Sequence, residues 1–464
     1  MKAKKILAMM ALAGLGTVAL AQSGPIRIGV VTPLTGTYAG IGEQVKWGLN
    51  LAAKEINASG GVMGRQIELI YEDEEANPSV AVQKAEKLFQ TSKVDFLTGT
   101  VNSGSTLAVG QVAERNNKLM ATTVSFADSI TGERCSPNVF RVNARAGMQS
   151  AALAAWVAST KPGAQVFYLG PDYEMGRSTV AAFKSAAEGK GAKSVGELFA
   201  PLDNKDYSPF FGQIRSGKPN VIYTSVAGND TVRLFSQMSE FGVSRNVQIV
   251  GASGTVTGQN LAAIGKAAEG FVTGAGYSTM IDSPENKKFV AAFKAENKSD
   301  PDLYGADSYG VLFLYKAAVE KAKSTETDKV RTAMRDLKWS TPQGVKTMRG
   351  GDHQAMQDMY AIIEDSGTQI KLQKGDVVDI DLRDAEDGST ITFDRVLAVG
   401  DVAGGSAAKI GLPYLSGATV TAKVLGEADG PKVLVGKYKR RKGYRKTIGH
   451  KQHYIRIEVL SINA

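Results

Sequence analysis

A two-lobed α/β architecture, followed by a small all-β barrel domain with an extended basic loop, is the fold class that the sequence predicts. Three observations lead to it. The chain has 464 residues, more than one hydrophobic core usually supports. From Ile26 to Val250, short apolar runs alternate with stretches of helical spacing. After Asp358 the helical period is lost, and short β-branched runs separated by Gly-rich turns replace it.

The elements follow in order. Ile26-Arg27-Ile28-Gly29-Val30-Val31 reads as a strand, the turn Thr32-Pro33-Leu34-Thr35-Gly36 follows, and Val45, Leu49, Ala52 and Ile56 mark one face of a helix over 44–57. Asn57-Ala58-Ser59-Gly60-Gly61 stops it, as glycine after the last periodic residue should. Strands at 67–71 and 94–98 flank a helix at 79–90. Strands at 166–169, 221–224 and 247–250 then alternate with helices around 178–187 and 230–241. Strands and helices of these lengths imply parallel sheets covered on both faces, and there are too many units for one sheet. Ligands in such folds bind at the carboxyl ends of strands, so two facing lobes would form a cleft.

The loops after these strands are polar and carry no catalytic constellation. Asn102-Ser103-Gly104-Ser105-Thr106 stands where hydroxyls and free N–H groups at a helix start can hold a carboxylate. An ordinary N-cap is the competing reading of that stretch. Ser125, Asp172-Tyr173, Gly228-Asn229-Asp230 and Ser253-Gly254-Thr255 occupy the same class of loop. Asn102, Ser103, Ser125, Tyr173, Asn229 and Ser253 are therefore the candidate ligand contacts.

Three histidines, His353, His450 and His453, lack partners at metal-binding spacing, so neither metal nor other cofactor is expected. No G-x-S-x-G elbow and no phosphate-loop lysine motif is present, which argues for binding rather than catalysis. The lone Cys135 has no disulfide partner and reads as a packed small hydrophobe.

At the N-terminus, Lys2, Lys4 and Lys5 precede an apolar segment from Ile6 to Leu20, and Ala19-Leu20-Ala21 precedes Gln22. This is the pattern of a secretory signal peptide over 1–21, too short for a spanning helix, and no membrane span is expected after cleavage.

The net charge of +9 is local in origin. Between Lys432 and Arg456 lie six Lys and four Arg with no Asp or Glu, and the rest of the chain is close to neutral. Such a field suits a polyanion. The run contains Lys437, Lys439, Arg440, Arg441, Lys442, Arg445, Lys446, His450 and Lys451, and Tyr438 and Tyr444 add rings for stacking on bases. A solvated charge run and a heparin-like or membrane-surface patch are the competing readings. The strands expected here are 359–364, 377–382, 391–399, 419–425, 432–439 and 453–460.

Two resemblances follow from these motifs. Ile28-Gly29-Val30-Val31-Thr32-Pro33-Leu34-Thr35-Gly36, Glu55 to Gly61, Gly99 to Ser103, Arg134-Cys135-Ser136-Pro137, Gly170 to Gly176 and Asp352-His353-Gln354 resemble the type I periplasmic binding proteins of ABC importers for branched-chain amino acids and related solutes. The resemblance covers about 22–358. It implies closure of two lobes on a small solute and presentation to a membrane permease, with Ser103 as the carboxylate-binding hydroxyl and Tyr173 as an aromatic over the ligand. Ser253 stands where amino-acid-binding members place an acidic residue, and Phe126 replaces a small hydroxyl residue. An amide, a urea-like molecule or an aromatic carboxylate is therefore as compatible as an amino acid.

Residues 359–464 resemble bacterial large-subunit ribosomal protein twenty-one, through Met359-Tyr360-Ala361-Ile362, Phe393 to Leu397, Lys409 to Pro413 and Lys437 to Gln452. That resemblance implies binding of large-subunit ribosomal RNA through the basic loop, with the residues named above and Tyr444 as contacts. Ser366-Gly367-Thr368-Gln369 departs from the paired glycines and lysine usual in that family.

The two parts demand different compartments, periplasm for one and cytoplasmic ribosome for the other. The chain thus reads as a fusion of unrelated genes, whether natural, engineered or an error of sequence assembly. A ribosomal protein with a foreign N-terminal extension is the alternative. Met359 to Ile363 is wanted by both parts, as last strand of one and first strand of the other, and the barrel is expected to take it.

Overall fold

A computed structural model of the chain describes residues 24–274, 276–279, 281–357, 361–365, 368–372, 375–399, 409–410, 417–429, 433–439, 444–450 and 453–463. The expected signal peptide lies outside the described residues. Among them, no helix is long and apolar enough to cross a membrane.

The first lobe is built from β1 (Ile26–Thr32), α1 (Ala39–Ala58), β2 (Ile67–Asp73), α2 (Pro78–Gln90), β3 (Phe96–Gly99), α3 (Ser103–Arg115), β4 (Leu119–Thr122) and β5 (Val139–Arg141). Its parallel sheet runs in the order β2-β1-β3-β4-β5. Ile26, Ile28, Val30 and Val31 of β1 are all buried, the near-continuous apolar run expected of a strand covered on both faces. Side-chain caps place the starts of α2 and α3. At α2, for example, Asn77 Oδ1 accepts from Ser79 N at 2.9 Å and Pro78 opens the first turn.

The second lobe contains α4 (Ala146–Thr160), β6 (Gln165–Pro171), α5 (Glu174–Glu188), β7 (Lys193–Ala200), α6 (Ser208–Ser216), β8 (Val221–Thr224), α7 (Asn229–Glu240), β9 (Gln248–Gly251), α8 (Gly258–Ile264) and β10 (Val272–Thr273). Its parallel order is β10-β9-β8-β6-β7. The chain then returns to the first lobe through α9 (Pro284–Asn297), α10 (Leu303–Ala322) and α11 (Thr327–Met334). Helix α10 lies against α1 so closely that a Cβ on Gly48 would stand 2.2 Å from the Gly305 carbonyl oxygen. Only glycine permits that approach. An antiparallel sheet of β11 (Lys338–Thr341), β12 (Gly344–Met348) and β13 (Ala355–Gln357) completes the unit.

Two buried cations fasten the segments that run between the lobes. Arg141, at the end of β5, is fully buried, and its guanidinium donates to Gln354 Oε1 at 2.7 Å, to the Ala127 carbonyl at 2.6 Å and to Thr131 Oγ1. Gln354 in turn donates to the carbonyls of Asn143 at 2.8 Å and Ala355 at 2.9 Å. Burial pulls the Arg141 pKa down to about 9, for its hydrogen-bond partners are neutral oxygens rather than carboxylates. The second cation, Lys346 on β12, meets Asp307 of α10 at 2.5 Å and the Val142 carbonyl at 2.9 Å.

From 361 onward the described strands are β14 (Ala361–Asp365), β15 (Thr368–Leu372), β16 (Val377–Asp381), β17 (Thr390–Phe393), β18 (Val396–Val399), β19 (Lys409–Ile410), β20 (Thr419–Asp429), β21 (Val433–Lys439), β22 (Tyr444–His450) and β23 (His453–Asn463). They form antiparallel sheets ordered β15-β14-β18-β19 and β16-β23-β20-β17, with β21 and β22 as a separate pair. Val420, Ala422 and Val424 on β20, and Ile455, Ile457 and Val459 on β23, are buried together: a period of two, as for a sheet with one covered face.

Several expectations change. The run 391–399 is two strands, broken at Asp394-Arg395. The basic segment is not simply a loop: β21 and β22 pair from Val433↔His450 to Lys439↔Tyr444, a register that places Lys437 opposite Lys446. The α/β part does not depend on 359–363 for its last strand, because β13 pairs with β12, while Ala361–Asp365 pairs with β15 and β18. Cys135 is exposed rather than packed.

Replacing Lys346 with Met leaves Asp307 buried without its cation. A loss of roughly 3–5 kcal/mol is expected in denaturant unfolding of the α/β part, readable as a lower midpoint at unchanged slope.

Candidate ligand-binding site

The carboxyl ends of the strands of both lobes converge, and the contacts between them are specific. The turn at Thr37-Tyr38 after β1 docks on the second lobe. Thr37 Oγ1 donates to Asp203 Oδ1 at 2.7 Å, and the Asn229 N–H donates to the Thr37 carbonyl at 3.1 Å. The Tyr38 and Tyr173 hydroxyls share a hydrogen bond at 2.8 Å. Asp203 is held at about 2, chiefly by hydrogen bonds from Lys205 and then Thr37. Buried Asp230 accepts the Asp203 N–H at 2.8 Å and fixes the loop.

Gly228, at φ +62°, makes this contact possible. A Cβ there would lie 2.4 Å from the Thr37 carbonyl oxygen and 2.7 Å from Tyr38 Cδ1. On the other side of the cleft, Ser129 Oγ donates to Glu174 Oε1 at 2.6 Å, and the Asp128 N–H donates to Ser178 Oγ at 2.9 Å.

At the entrance to α3, most amide groups are already committed. Asn102 Oδ1 accepts from Gly104 N at 2.8 Å and Ser105 N at 3.3 Å, and its Nδ2 donates to the Ala76 carbonyl at 3.0 Å. Asn102 is thus a helix cap with its side chain fully engaged. Ser103, fully buried, accepts the Ala127 N–H on Oγ at 3.3 Å and retains its own hydroxyl proton. As the first residue of α3, its N–H has no intrahelical carbonyl to meet. A donor pair for a small anion therefore remains at one residue.

Ser125 is fully engaged: Oγ donates to the Thr100 carbonyl at 2.9 Å and shares a 2.5 Å hydrogen bond with Thr106 Oγ1. Ser253 Oγ donates to Gln149 Oε1 at 2.8 Å, which also takes the Ser253 N–H at 3.2 Å. Asn229 contributes its backbone to lobe contact. Tyr173 stands at the interface with Tyr38, at a ring separation of 6.5 Å.

Residues beyond the sequence-derived set pack beside these side chains. Tyr304 of α10 packs 6.3 Å from Phe126, and its hydroxyl lies where a Cβ on Gly254 would be, 1.8 Å away. The rings thus fall in two pairs, Tyr304 with Phe126 and Tyr173 with Tyr38. Tyr38 and Glu74 each follow a strand and belong to the loop class already singled out. Tyr304 and Gln149 lie on helices and had no such signal.

On the hairpin, Lys437 and Lys439 fall on β21, and Tyr444, Arg445, Lys446 and His450 on β22. Arg440, Arg441, Lys442 and Lys451 lie outside the described residues. Among the described residues no cluster of His, Cys, Asp or Glu is placed to hold a metal.

Comparison with known proteins identifies the families that the two parts match. Residues 25–367 match the periplasmic binding protein family. The chain belongs to that family. Residues 359–462 match the ribosomal prokaryotic L21 protein family, and the two matches overlap at 359–367.

The Leu/Ile/Val-binding protein BraC3 of Rhizobium johnstonii is 30% identical over 315 residues, covering 68% of this chain and 84% of the relative. The leucine-, isoleucine-, valine-, threonine- and alanine-binding protein of Pseudomonas aeruginosa is 26% identical over 73% of this chain and 90% of its own length. Among solved structures, an ABC transporter solute-binding protein of Rhodopseudomonas palustris BisB5 in complex with 3,4-dihydroxybenzoic acid superimposes with a TM-score of 0.68. It is 26% identical and covers 75% of this chain and 96% of that one. A second R. palustris solute-binding protein, in complex with benzoate, gives 0.68 at 25% identity with the same coverage. Two family matches in succession are consistent with a fusion.

Gly228→Ala is expected to obstruct the approach of Thr37 and Tyr38. Solution scattering should show a larger radius of gyration than for the unaltered chain, and ligand affinity should fall at least about tenfold, since closure and binding share one equilibrium.

Proposed function

We propose that residues 22–358, freed of residues 1–21 by signal cleavage, act in the periplasm as the solute-binding component of an ABC importer. Their ligand is a small carboxylate, with an aromatic acid favoured over a branched-chain amino acid, and closed lobes are presented to the permease. The observation that carries the choice is Ser253. Its hydroxyl is turned onto Gln149 Oε1 at 2.8 Å, so the position that an ammonium would need filled by an acid holds a neutral, satisfied pair. A buried ammonium without a counter-charge costs several kcal/mol. The Ser103 donors suit a carboxylate, and Tyr38, Tyr173, Tyr304 and Phe126 suit an aromatic ring. The benzoate complexes of the R. palustris proteins support the same reading.

Residues 359–464 form, on this proposal, a β barrel that binds large-subunit ribosomal RNA through Lys437, Lys439, Arg440, Arg441, Lys442, Tyr444, Arg445, Lys446, His450 and Lys451. Ten cations within 25 residues, of which Lys437, Lys439, Arg445 and Lys446 fall on the paired strands β21 and β22, support it.

Calorimetric titration of the full chain with benzoate, 4-hydroxybenzoate and leucine tests the first part. Binding of the aromatic acids is expected, with affinity lowered about tenfold or more in Ser103→Ala. Binding of leucine alone would overturn it. For the second part, filter binding to a large-subunit RNA fragment should weaken steeply with salt. Neutralising Arg440, Arg441 and Arg445 should reduce the log–log salt slope by about 2 to 3 units. An unchanged slope would refute an electrostatic role for the hairpin.

A further inference from the structure

Glu74 follows β2 directly and is fully buried at the entrance of α3. Its Oε1 accepts the N–H of Val101 at 2.7 Å and of Asn102 at 3.4 Å, the two amides that precede α3. The other oxygen, Oε2, has no hydrogen-bond partner. Ser105 Oγ comes near enough to favour the charged form without reaching hydrogen-bond geometry.

The groups that face this carboxyl come from every side. Thr32, at the end of β1, takes the Glu74 N–H on its carbonyl at 3.2 Å, and its own hydroxyl is buried without a partner. Asp73 is the charged neighbour on the same segment and repels the ionised form. Asn102 and Ser105 belong to α3, and Tyr173 of the second lobe feels the Glu74 charge across the cleft. Burial raises the Glu74 pKa to about 7 in spite of the Val101 and Asn102 amides.

The next residue along α3 is Ser103, whose donors are the proposed seat of a ligand carboxylate. Two carboxylates in one water-poor site cannot both ionise cheaply.

We propose that Glu74 makes ligand uptake proton-linked: as the cleft receives a carboxylate at Ser103, Glu74 takes one proton from solvent, and its neutral carboxyl leaves the entrance of α3 to the ligand's charge. The proposal rests on the carboxylate reading above. Glu74 acts as a positioning residue, for it touches the Val101 and Asn102 amides that lead into α3. The sign follows from linkage. At pH 6 Glu74 is already neutral and binding is at full strength, whereas at pH 8 the proton must be taken up. Affinity therefore falls about tenfold from pH 6 to pH 8, a range in which benzoate itself stays ionised.

Calorimetry of the full chain with benzoate at pH 8, in two buffers of different ionisation enthalpy, should report uptake of close to one proton. Glu74→Gln keeps an oxygen for the Val101 N–H and should bind benzoate with a flat profile between pH 6 and 8. A purely structural role would lower stability without flattening that profile. Carbon-detected titration of the Glu74 carboxyl in the ligand-free chain supplies a readout that needs neither variant nor ligand. A midpoint near 7 supports the proposal, and one in the ordinary glutamate range overturns it. Buffer-independent heats with bound benzoate overturn it as well. If benzoate fails to bind at any pH, the carboxylate reading falls alone, and the carboxyl titration still decides the role of Glu74.

Discussion

The fully buried guanidinium of Arg141 is the constraint on which the α/β part depends. A charge without a carboxylate partner is tolerable inside a protein only if every N–H is met, and here the acceptors come from separated stretches: Ala127, Thr131 and Gln354. The polar end of β5 thereby fixes the loop after β4, which carries Ser125 and Phe126, to the segment that enters β13. Gln354 also donates to the Asn143 carbonyl, so the same side chain ties the segment that leads from β5 into α4. The motif Asp352-His353-Gln354 has a physical meaning in this light. Asp352 pairs with Arg349, His353 stacks on Phe140 at 4.2 Å, and Gln354 satisfies the buried cation.

The cleft shows how a short polar loop separates structural from functional demand. Near the α3 entrance, Glu74 consumes two amides and the Asn102 side chain two more. Ser103 keeps both its N–H and its hydroxyl proton in reserve. Selectivity on this arrangement comes from which hydrogen bonds are already made inside the protein as much as from which side chains are present.

Much of the fold was legible because the strands of the lobes are covered on both faces and the helices between them are amphipathic. The elements that escaped notice lack those signals. Strand β4, Leu119-Met120-Ala121-Thr122, has no β-branched or aromatic residue before its last position, β7 is half exposed along most of its length, and α10 is buried on so many sides that a helical period barely registers. Within the basic hairpin β21 falls on the expected run 432–439, whereas β22 reads as a loop because Lys, Arg and Gly favour strands weakly and cross-strand pairing overrode that preference. For the site, strand-end polar residues were findable by position, but their commitments were not. Ser253 is satisfied by a residue 104 positions away, and Asn102 is an N-cap of the plain kind.

The interval between β13, ending at Gln357, and β14, beginning at Ala361, has a mechanical consequence. Four Cα steps reach at most about 14 Å even when fully extended. That is the largest separation the chain permits between the end of β13 and the start of β14. A partner as large as a ribosome or a membrane permease, arriving at one half, meets the excluded volume of the other within that distance. Tether length alone makes the two halves compete for space, whatever their separate affinities.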